Sequence, residues 1–131
     1  MIENIKSQMR KGILEYCILS VISRREAYAS DILEVLKQAN LLVVEGTLYP
    51  LLSRMKNNGL LAYRWQESND GPPRKYFRLT QEGHNLLRQL DAEWHAISAA
   101  INAIAAETPT AEAQTPYTDA DPLFNPNNKP Q

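Results

Sequence analysis

The sequence has few of the residues that build disulfide, redox and metal sites. It contains one cysteine and two histidines among 131 residues. Cys17 lies in the apolar run 13–22 and cannot form an internal disulfide, so we interpret it as a core residue in preference to a redox switch. His84 and His95 are too isolated to share a metal ion. We therefore expect neither a metal nor another cofactor.

Motifs of the common enzyme classes are also missing from the sequence. There is no glycine-rich phosphate loop, no CxxC motif, and no set of nucleophile, base and orienting residue. Asp91, Glu93 and His95 lie close together in the sequence, which is typical of the solvated face of a charged helix. The sequence predicts a protein that is not an enzyme.

Long apolar runs are absent as well. No stretch of about 18 apolar residues could cross a membrane, and no charged-then-apolar leader is present. We therefore expect no membrane partner and a cytoplasmic protein. With 44% hydrophobic residues in 131, the chain fits one small domain plus an appendage, and a domain of this size gains stability from a partner chain.

The charge of the chain is nearly balanced but unevenly distributed. Residues 1–83 hold twelve of the 14 Lys and Arg residues and nine of the 15 Asp and Glu residues, whereas residues 84–131 are acidic. A basic N-terminal part supports binding to nucleic acid, although an excess of three positive charges could equally well only solvate a surface.

Three helices are predicted before residue 60. The apolar segment 4–25 reads as a central core helix, and a second helix spans about 28–40, with Ser30 or Asp31 as its cap. The third helix, about 45–58, has apolar residues at helical spacing, and Pro50 lies near its first turn. Asn57-Asn58-Gly59 supplies residues that tolerate the left-handed conformation that ends a helix.

A β-hairpin follows the third helix. Apolar and polar residues alternate in 61–66 and again in 74–79, with a turn at Ser68-Asn69-Asp70-Gly71. Pro72-Pro73 cannot donate to a sheet ladder, so we place them in a stiff loop outside the paired strands. Arg74 and Lys75 then lie at the edge of the hairpin. Residues 1–80 are thus predicted to be mainly α-helical with a small β-hairpin, the winged helix-turn-helix arrangement.

A single long helix is predicted from residue 81 to 107, with Thr80 as its cap. At 1.5 Å per residue it would reach roughly 40 Å, farther than the body of a small domain can cover. Its apolar residues have heptad spacing, which favours dimerisation over packing on the chain's own core. Residues 108–131 hold five of the eight prolines and read as a disordered tail. The predicted dimer seam comprises Leu87, Leu90, Trp94, Ile97, Ile101 and Ile104.

The stretches EGTLYPLLSRMKNNGLL and PPRKYFRLTQEG, followed by this helix, resemble the PadR family of bacterial transcriptional regulators. The resemblance covers about residues 9–107, and it is greatest to the short form, which has one C-terminal dimerisation helix. It implies a homodimeric repressor that binds a pseudo-palindromic operator in double-stranded DNA and is released by a small molecule. It also implies that Trp94 binds a planar aromatic effector. The residues implied to contact DNA are Gly46, Thr47, Tyr49, Pro50 and Arg54 in the major groove and Arg74 and Lys75 on the wing.

Several of these residues have a second interpretation. Tyr49 could serve only the packing of the fold, Arg54 could pair with an acidic neighbour, and Trp94 could be plain dimer core. We expect Tyr63 and Trp65 to form the core at the base of the wing and not to act as stacking platforms. The alternative function is a winged-helix protein-interaction or ligand-binding module without DNA binding, which would lack salt-dependent binding to a duplex.

Overall fold

The computed structural model describes residues 1–106. It confirms a mainly helical fold with one antiparallel two-stranded hairpin and a long C-terminal helix. The predicted disordered tail, 108–131, lies outside the described residues, as does Glu107. In chain order the elements are α1 (Ile2–Arg24), α2 (Ala29–Gln38), α3 (Glu45–Asn57), β1 (Leu61–Ser68), β2 (Gly71–Leu79) and α4 (Gln81–Ala106).

The core forms where the apolar stripes of the first three helices meet the base of the hairpin. Ile18, Ile32 and Leu48, one from each helix, are fully buried. Within residues 1–106 no polar or charged residue is buried, so the core is held by apolar packing alone. The buried set comprises Ile18, Leu19, Ile22, Ala27, Ala29, Ile32, Leu36, Leu48, Leu52, Met55, Leu61, Phe77, Leu79 and Leu87.

The helix boundaries show which capping predictions are correct. Tyr28, and not Ser30, is the N-cap of α2, and the Asp31 carboxylate accepts a hydrogen bond from the Tyr28 N–H at 3.0 Å. The prediction for Ser30 is therefore wrong, because Ser30 already lies inside the helix, while Asp31 does stabilise the helix start. Gly59 takes the predicted left-handed conformation, with φ of 79°. The Thr80 hydroxyl accepts the Gly83 N–H at 3.0 Å and so caps α4 as predicted.

The hairpin differs from prediction at its prolines. Both prolines lie within β2, not outside the strands. The register pairs Gln66 with Arg74 and Ser68 with Gly71, so the prolines face the irregularity at Glu67. Two residues of β2 thus lie opposite one residue of β1, which is the geometry of a β-bulge. At such a position the missing N–H of a proline removes no hydrogen bond between the strands. The strands therefore continue closer to the tip, and the turn is only Asn69-Asp70.

A short backbone contact attaches the hairpin to the helical body. Ala27, between α1 and α2, exchanges two hydrogen bonds with Phe77 of β2, with N–O distances of 3.0 and 2.8 Å. The hairpin is thus fixed at its base along one edge.

The contacts within the chain define two units, 1–94 and 95–131. The first contains the core, the hairpin and the beginning of α4. Of the second, only residues 95–106, in α4, are described. No helix among the described residues is long and apolar enough to span a membrane.

The first turn of α4 provides a test of the packing. A Cβ on Gly83 would overlap the backbone carbonyl oxygen of Leu60, which cannot move independently of β1. Gly83→Ala should therefore lower the free energy of unfolding by about 1–3 kcal/mol, although Ala favours a helix. Urea unfolding monitored by circular dichroism measures the change.

The matched control is Gly12→Ala in α1, where an added Cβ meets no atom within 4 Å. That variant should be neutral or slightly more stable. Equal stability of the two variants would show that α4 does not approach Leu60 this closely.

Candidate nucleic-acid interface

Helix α3 packs one side against the core, and its exposed surface is flanked by two grooves. Leu48, Leu52 and Met55 are at most 1% exposed, which fixes the orientation of the helix on the core. The wing groove, between α3 and the hairpin, has a volume of about 610 Å³. The α1 groove, between α3 and the N-terminal half of α1, has a volume of about 580 Å³.

The seven predicted DNA-contact residues are divided between these grooves. Tyr49, Arg74 and Lys75 line the wing groove. The α1 groove is lined by the other four, Gly46, Thr47, Pro50 and Arg54. The division follows from the 100° rotation per helical residue, which turns Tyr49 away from its neighbours in the sequence. The predicted residues therefore lie on both sides of one exposed helix and do not form a single cluster.

Aromatic rings hold the cations of the wing groove. The Lys75 ammonium lies 4.6 Å from the centre of the Tyr63 ring, and the Arg74 guanidinium lies 4.2 Å from that of Tyr28. Lys56 of α3 also lies over Tyr63, at 5.9 Å. Such cation–π contacts orient a charge without neutralising it. Glu45 is the one carboxylate that lines the groove with these three cations, so the balance of charge still favours an anionic ligand.

Lys56 also lines the wing groove, and it was not among the residues predicted from the sequence to contact DNA. The signal was its spacing from Tyr49, since residues seven apart share one side of a helix. Ser53 lines the same groove and lies four residues from Tyr49. On the α1 side, Arg10 and Lys11 were also missed. Arg10 and Lys11 line this groove only because α1 packs beside α3. Local sequence patterns do not predict that packing.

The outer face of the hairpin carries a cation of a different kind. Arg64 pairs with Glu26 at 3.0 Å, and its guanidinium lies 4.7 Å from the centre of the Tyr76 ring. Its charge is therefore compensated by a carboxylate.

Arg54 pairs with an acidic neighbour, which was its second interpretation from the sequence. Its guanidinium donates to the Glu15 carboxylate of α1. The Arg54 side chain nevertheless remains 59% exposed, and exposed pairs contribute little free energy. A phosphate or a base edge can therefore compete with Glu15 for this guanidinium.

Exposure of the aromatic residues corrects one expectation. Trp65 is 62% exposed, so it is not part of the core at the base of the wing, whereas Tyr63 is partly buried against that core. Tyr49 is 50% exposed on α3. Trp65 extends beyond the body because the core ends, along its side of the hairpin, at Tyr63 and Phe77.

A second cluster joins α1 to α4. The Tyr16 hydroxyl donates to Asp91 Oδ1 at 2.5 Å, and the rings of Tyr16 and Trp94 lie 6.3 Å apart, centre to centre. The hydrogen bond to Asp91, together with burial and the carboxylate charge, raises the pKa of Tyr16 to about 12. Tyr16 therefore stays protonated at neutral pH. Burial raises the pKa of the neighbouring Cys17 thiol, which favours its interpretation as a core residue.

Exposure increases along the predicted seam of α4. Leu87 belongs to the chain's own core and Leu90 packs against it, so these two are accounted for within one chain. The remaining seam residues are exposed by 42, 50, 56 and 71% for Trp94, Ile97, Ile101 and Ile104, respectively.

Comparisons with known proteins agree with this architecture. The model of the transcriptional regulator PadR-like family matches residues 18–89. A PadR-like transcription factor from Bacteroides fragilis is 56% identical, with a TM-score of 0.66, and the match covers 77% of this chain and 98% of that one. A PadR family regulator from Eggerthella lenta is 31% identical, with a TM-score of 0.73 and coverage of 82% and 94%.

Two further relatives are similar over comparable lengths. A PadR-like transcriptional regulator from Bacillus cereus is 35% identical, with a TM-score of 0.69 and coverage of 77% of this chain and 99% of that one. An uncharacterized protein of Lysinibacillus sphaericus is 28% identical over 101 residues, which are 75% of this chain and 93% of that protein. The family model covers more than half of the chain and includes most of the core, α3 and the hairpin. The chain belongs to the PadR-like family of transcriptional regulators, which are not enzymes.

Proposed function

We propose that the protein is a homodimeric repressor that binds a pseudo-palindromic DNA operator and is released by a planar aromatic compound. The observation that carries the proposal is the exposed surface of α3, flanked by two grooves that both contain cations. A regulator that reads chromosomal DNA in a bacterium acts in the cytoplasm.

Charge and shape support the DNA-binding part. An α-helix fits the major groove, and cations on each side of it can neutralise the phosphates of the two flanking strands. Lys56, Arg74 and Lys75 lie on the wing side of α3, and Arg10 and Lys11 on the α1 side. Gly46, Thr47 and Pro50 present a surface of small side chains, which allows the helix backbone to approach base edges closely.

Exposed apolar residues support the homodimer. Ile97, Ile101 and Ile104 recur on one side of α4, and each is at least half exposed. The N-terminal half of α1 likewise exposes Ile2 and Met9, by 64% and 70%. A second copy would remove this surface from water. Twofold symmetry would then place two α3 helices on successive major grooves, which requires a pseudo-palindromic site.

The surroundings of Trp94 support an effector site. The indole is 42% exposed and lies beside the Tyr16 ring, so an aromatic surface is available to a planar ligand. Asp91 provides a carboxylate next to this surface, held by its hydrogen bond to Tyr16. A ligand that binds one dimer conformation more tightly than another would shift the population away from the DNA-binding form.

A second candidate function is a protein-interaction or ligand-binding module without DNA affinity. The α1 groove favours it, because Leu42 and Val44 at its edge are each 67% exposed. Salt dependence discriminates between the two functions. Binding through phosphates weakens steeply with ionic strength, whereas binding through apolar side chains does not.

The first prediction of this proposal concerns the wing. Replacing Arg74 and Lys75 together with Ala should weaken binding to all duplexes and reduce the slope of log K against log salt by roughly two units. Fluorescence anisotropy with labelled duplexes from upstream of the protein's own gene, at several salt concentrations, provides the slope. Lys37→Ala, which removes a cation of α2 outside both grooves, is the control and should leave affinity and slope unchanged. An unaltered slope in the double variant would contradict the wing assignment.

The second prediction concerns the dimer. Ile101→Asp should place an unpaired charge in the α4 interface and cost several kcal/mol of association, giving a monomer. Ala99→Asp adds the same charge on the opposite side of the helix and should remain dimeric. Sedimentation velocity separates the two species. A dimer in both variants would show that α4 associates through another face or not at all.

The third prediction concerns the effector. In a Trp65→Phe variant the only remaining tryptophan is Trp94, so its fluorescence reports binding directly. Titration with planar cationic dyes and with phenolic acids should quench this signal, and the same compound should release DNA from the wild type. A Trp94→Ala dimer should not respond to that compound. If it still released DNA, the effector site would lie elsewhere.

A further inference from the structure

Trp65 is the most unusual residue of the wing. Its side of the hairpin also carries Leu61, Tyr63 and Phe77, whose exposure increases toward the tip from buried to partly buried. Trp65 continues this series beyond the core and is 62% exposed. An exposed indole would gain free energy by burial against a ligand, and fixed neighbours reduce the entropy that such a contact costs.

The indole of Trp65 is held by two neighbours. Tyr63 contacts it edge-on, with ring centres 5.9 Å apart and planes at 85°. Lys75, its partner across the strands, has its ammonium 5.6 Å from the centre of the indole ring. The same ammonium also lies over Tyr63. The ammonium therefore lies over the indole, and an apolar ring and a cation are fixed close together at the rim of the wing groove.

This pairing matches the chemistry of a DNA backbone. A nucleic-acid strand alternates deoxyribose rings, which present C–H groups, with phosphates, which carry one negative charge each. The indole face suits the sugar, and the adjacent ammonium suits the phosphate. Arg74 and Lys56 line the same groove and increase its positive charge.

The geometry points to Trp65 as a DNA-contacting residue that packs its ring on deoxyribose in the minor groove beside each half-site. The inference rests on the proposed DNA-binding function and extends it by a non-electrostatic contact. If α3 occupies the major groove, the neighbouring strand runs along the wing groove, whose lining includes both Tyr49 of α3 and Trp65 of the hairpin. Apolar side chains in a minor groove respond to its width, so Trp65 would also make affinity depend on base pairs that α3 does not touch.

The first test separates this contact from charge. Trp65→Ala should weaken binding about tenfold, the size expected for one aromatic contact with nucleic acid, with the salt slope unchanged. Trp65→Phe should lose less, because a smaller ring remains. Lys75→Ala should instead reduce the slope by about one unit. The probe is the upstream duplex that the wild type binds in the anisotropy measurement.

A control tests whether any substitution in β1 has this effect. Ala62→Ser changes a residue of the same strand that lies on the other side of the hairpin and lines neither groove, and its affinity should equal that of the wild type. Equal affinity of Trp65→Ala and the wild type, with both folded by circular dichroism, would overturn the inference. If the wild type binds no duplex at all, it is the proposed function that fails.

The second test locates the contact. Hydroxyl radicals cleave DNA at sugars accessible from the minor groove, so wild-type protein should protect sugars flanking each half-site. At saturating protein, Trp65→Ala should lose this flanking protection and keep the protection at the half-site centre. Flanking protection that is the same in both proteins would show that the indole does not contact deoxyribose and would overturn the inference.

Discussion

The architecture depends on one junction, where the end of α3, the beginning of β1 and the start of α4 meet. The Thr80 hydroxyl donates to the Gly59 carbonyl at 2.6 Å and accepts from the Gly83 N–H, and the Thr80 N–H donates to Leu60 at 3.1 Å. Gly83 lies directly against the Leu60 carbonyl, where any larger residue would overlap. These contacts fix α3 relative to the hairpin that follows it, and thereby set the width of the wing groove.

Sequence periodicity predicted the elements because each has one buried side. The spacing of Leu48, Leu52 and Met55 is that of a helix, and the alternation in 61–66 and 74–79 is that of strands, whatever lies around them. The partners and the exposure of individual side chains depend instead on long-range packing. Arg54 pairs with a residue of α1 that lies 39 positions away, and Trp65 is exposed because the core ends before it. The rotation of the helix separates Tyr49 from the other α3 candidates, but the groove that those candidates line exists only because α1 docks beside α3, which local patterns do not encode.

Net charge alone understates the electrostatics of the wing groove. The excess of positive charge in residues 1–83 is small, yet the wing groove holds three cations that lie over aromatic rings and one carboxylate, Glu45. Arg64 of the hairpin is instead paired with Glu26. The same two strands thus carry one cation that a carboxylate compensates and two, Arg74 and Lys75, that lie over aromatic rings. The local potential depends on this arrangement more than on the total charge.

Consecutive residues of α1 contact both the region proposed to bind DNA and the region proposed to bind an effector. Glu15 binds Arg54 of α3, and Tyr16 binds Asp91 of α4 beside Trp94. A ligand near Trp94 can alter DNA affinity only if it binds two conformations unequally. Because Glu15 and Tyr16 are consecutive in α1, a rigid shift of α1 away from Asp91 would also move Glu15 relative to Arg54. Glu15 and Tyr16 alone are therefore enough to connect the proposed effector site to the proposed DNA-reading surface.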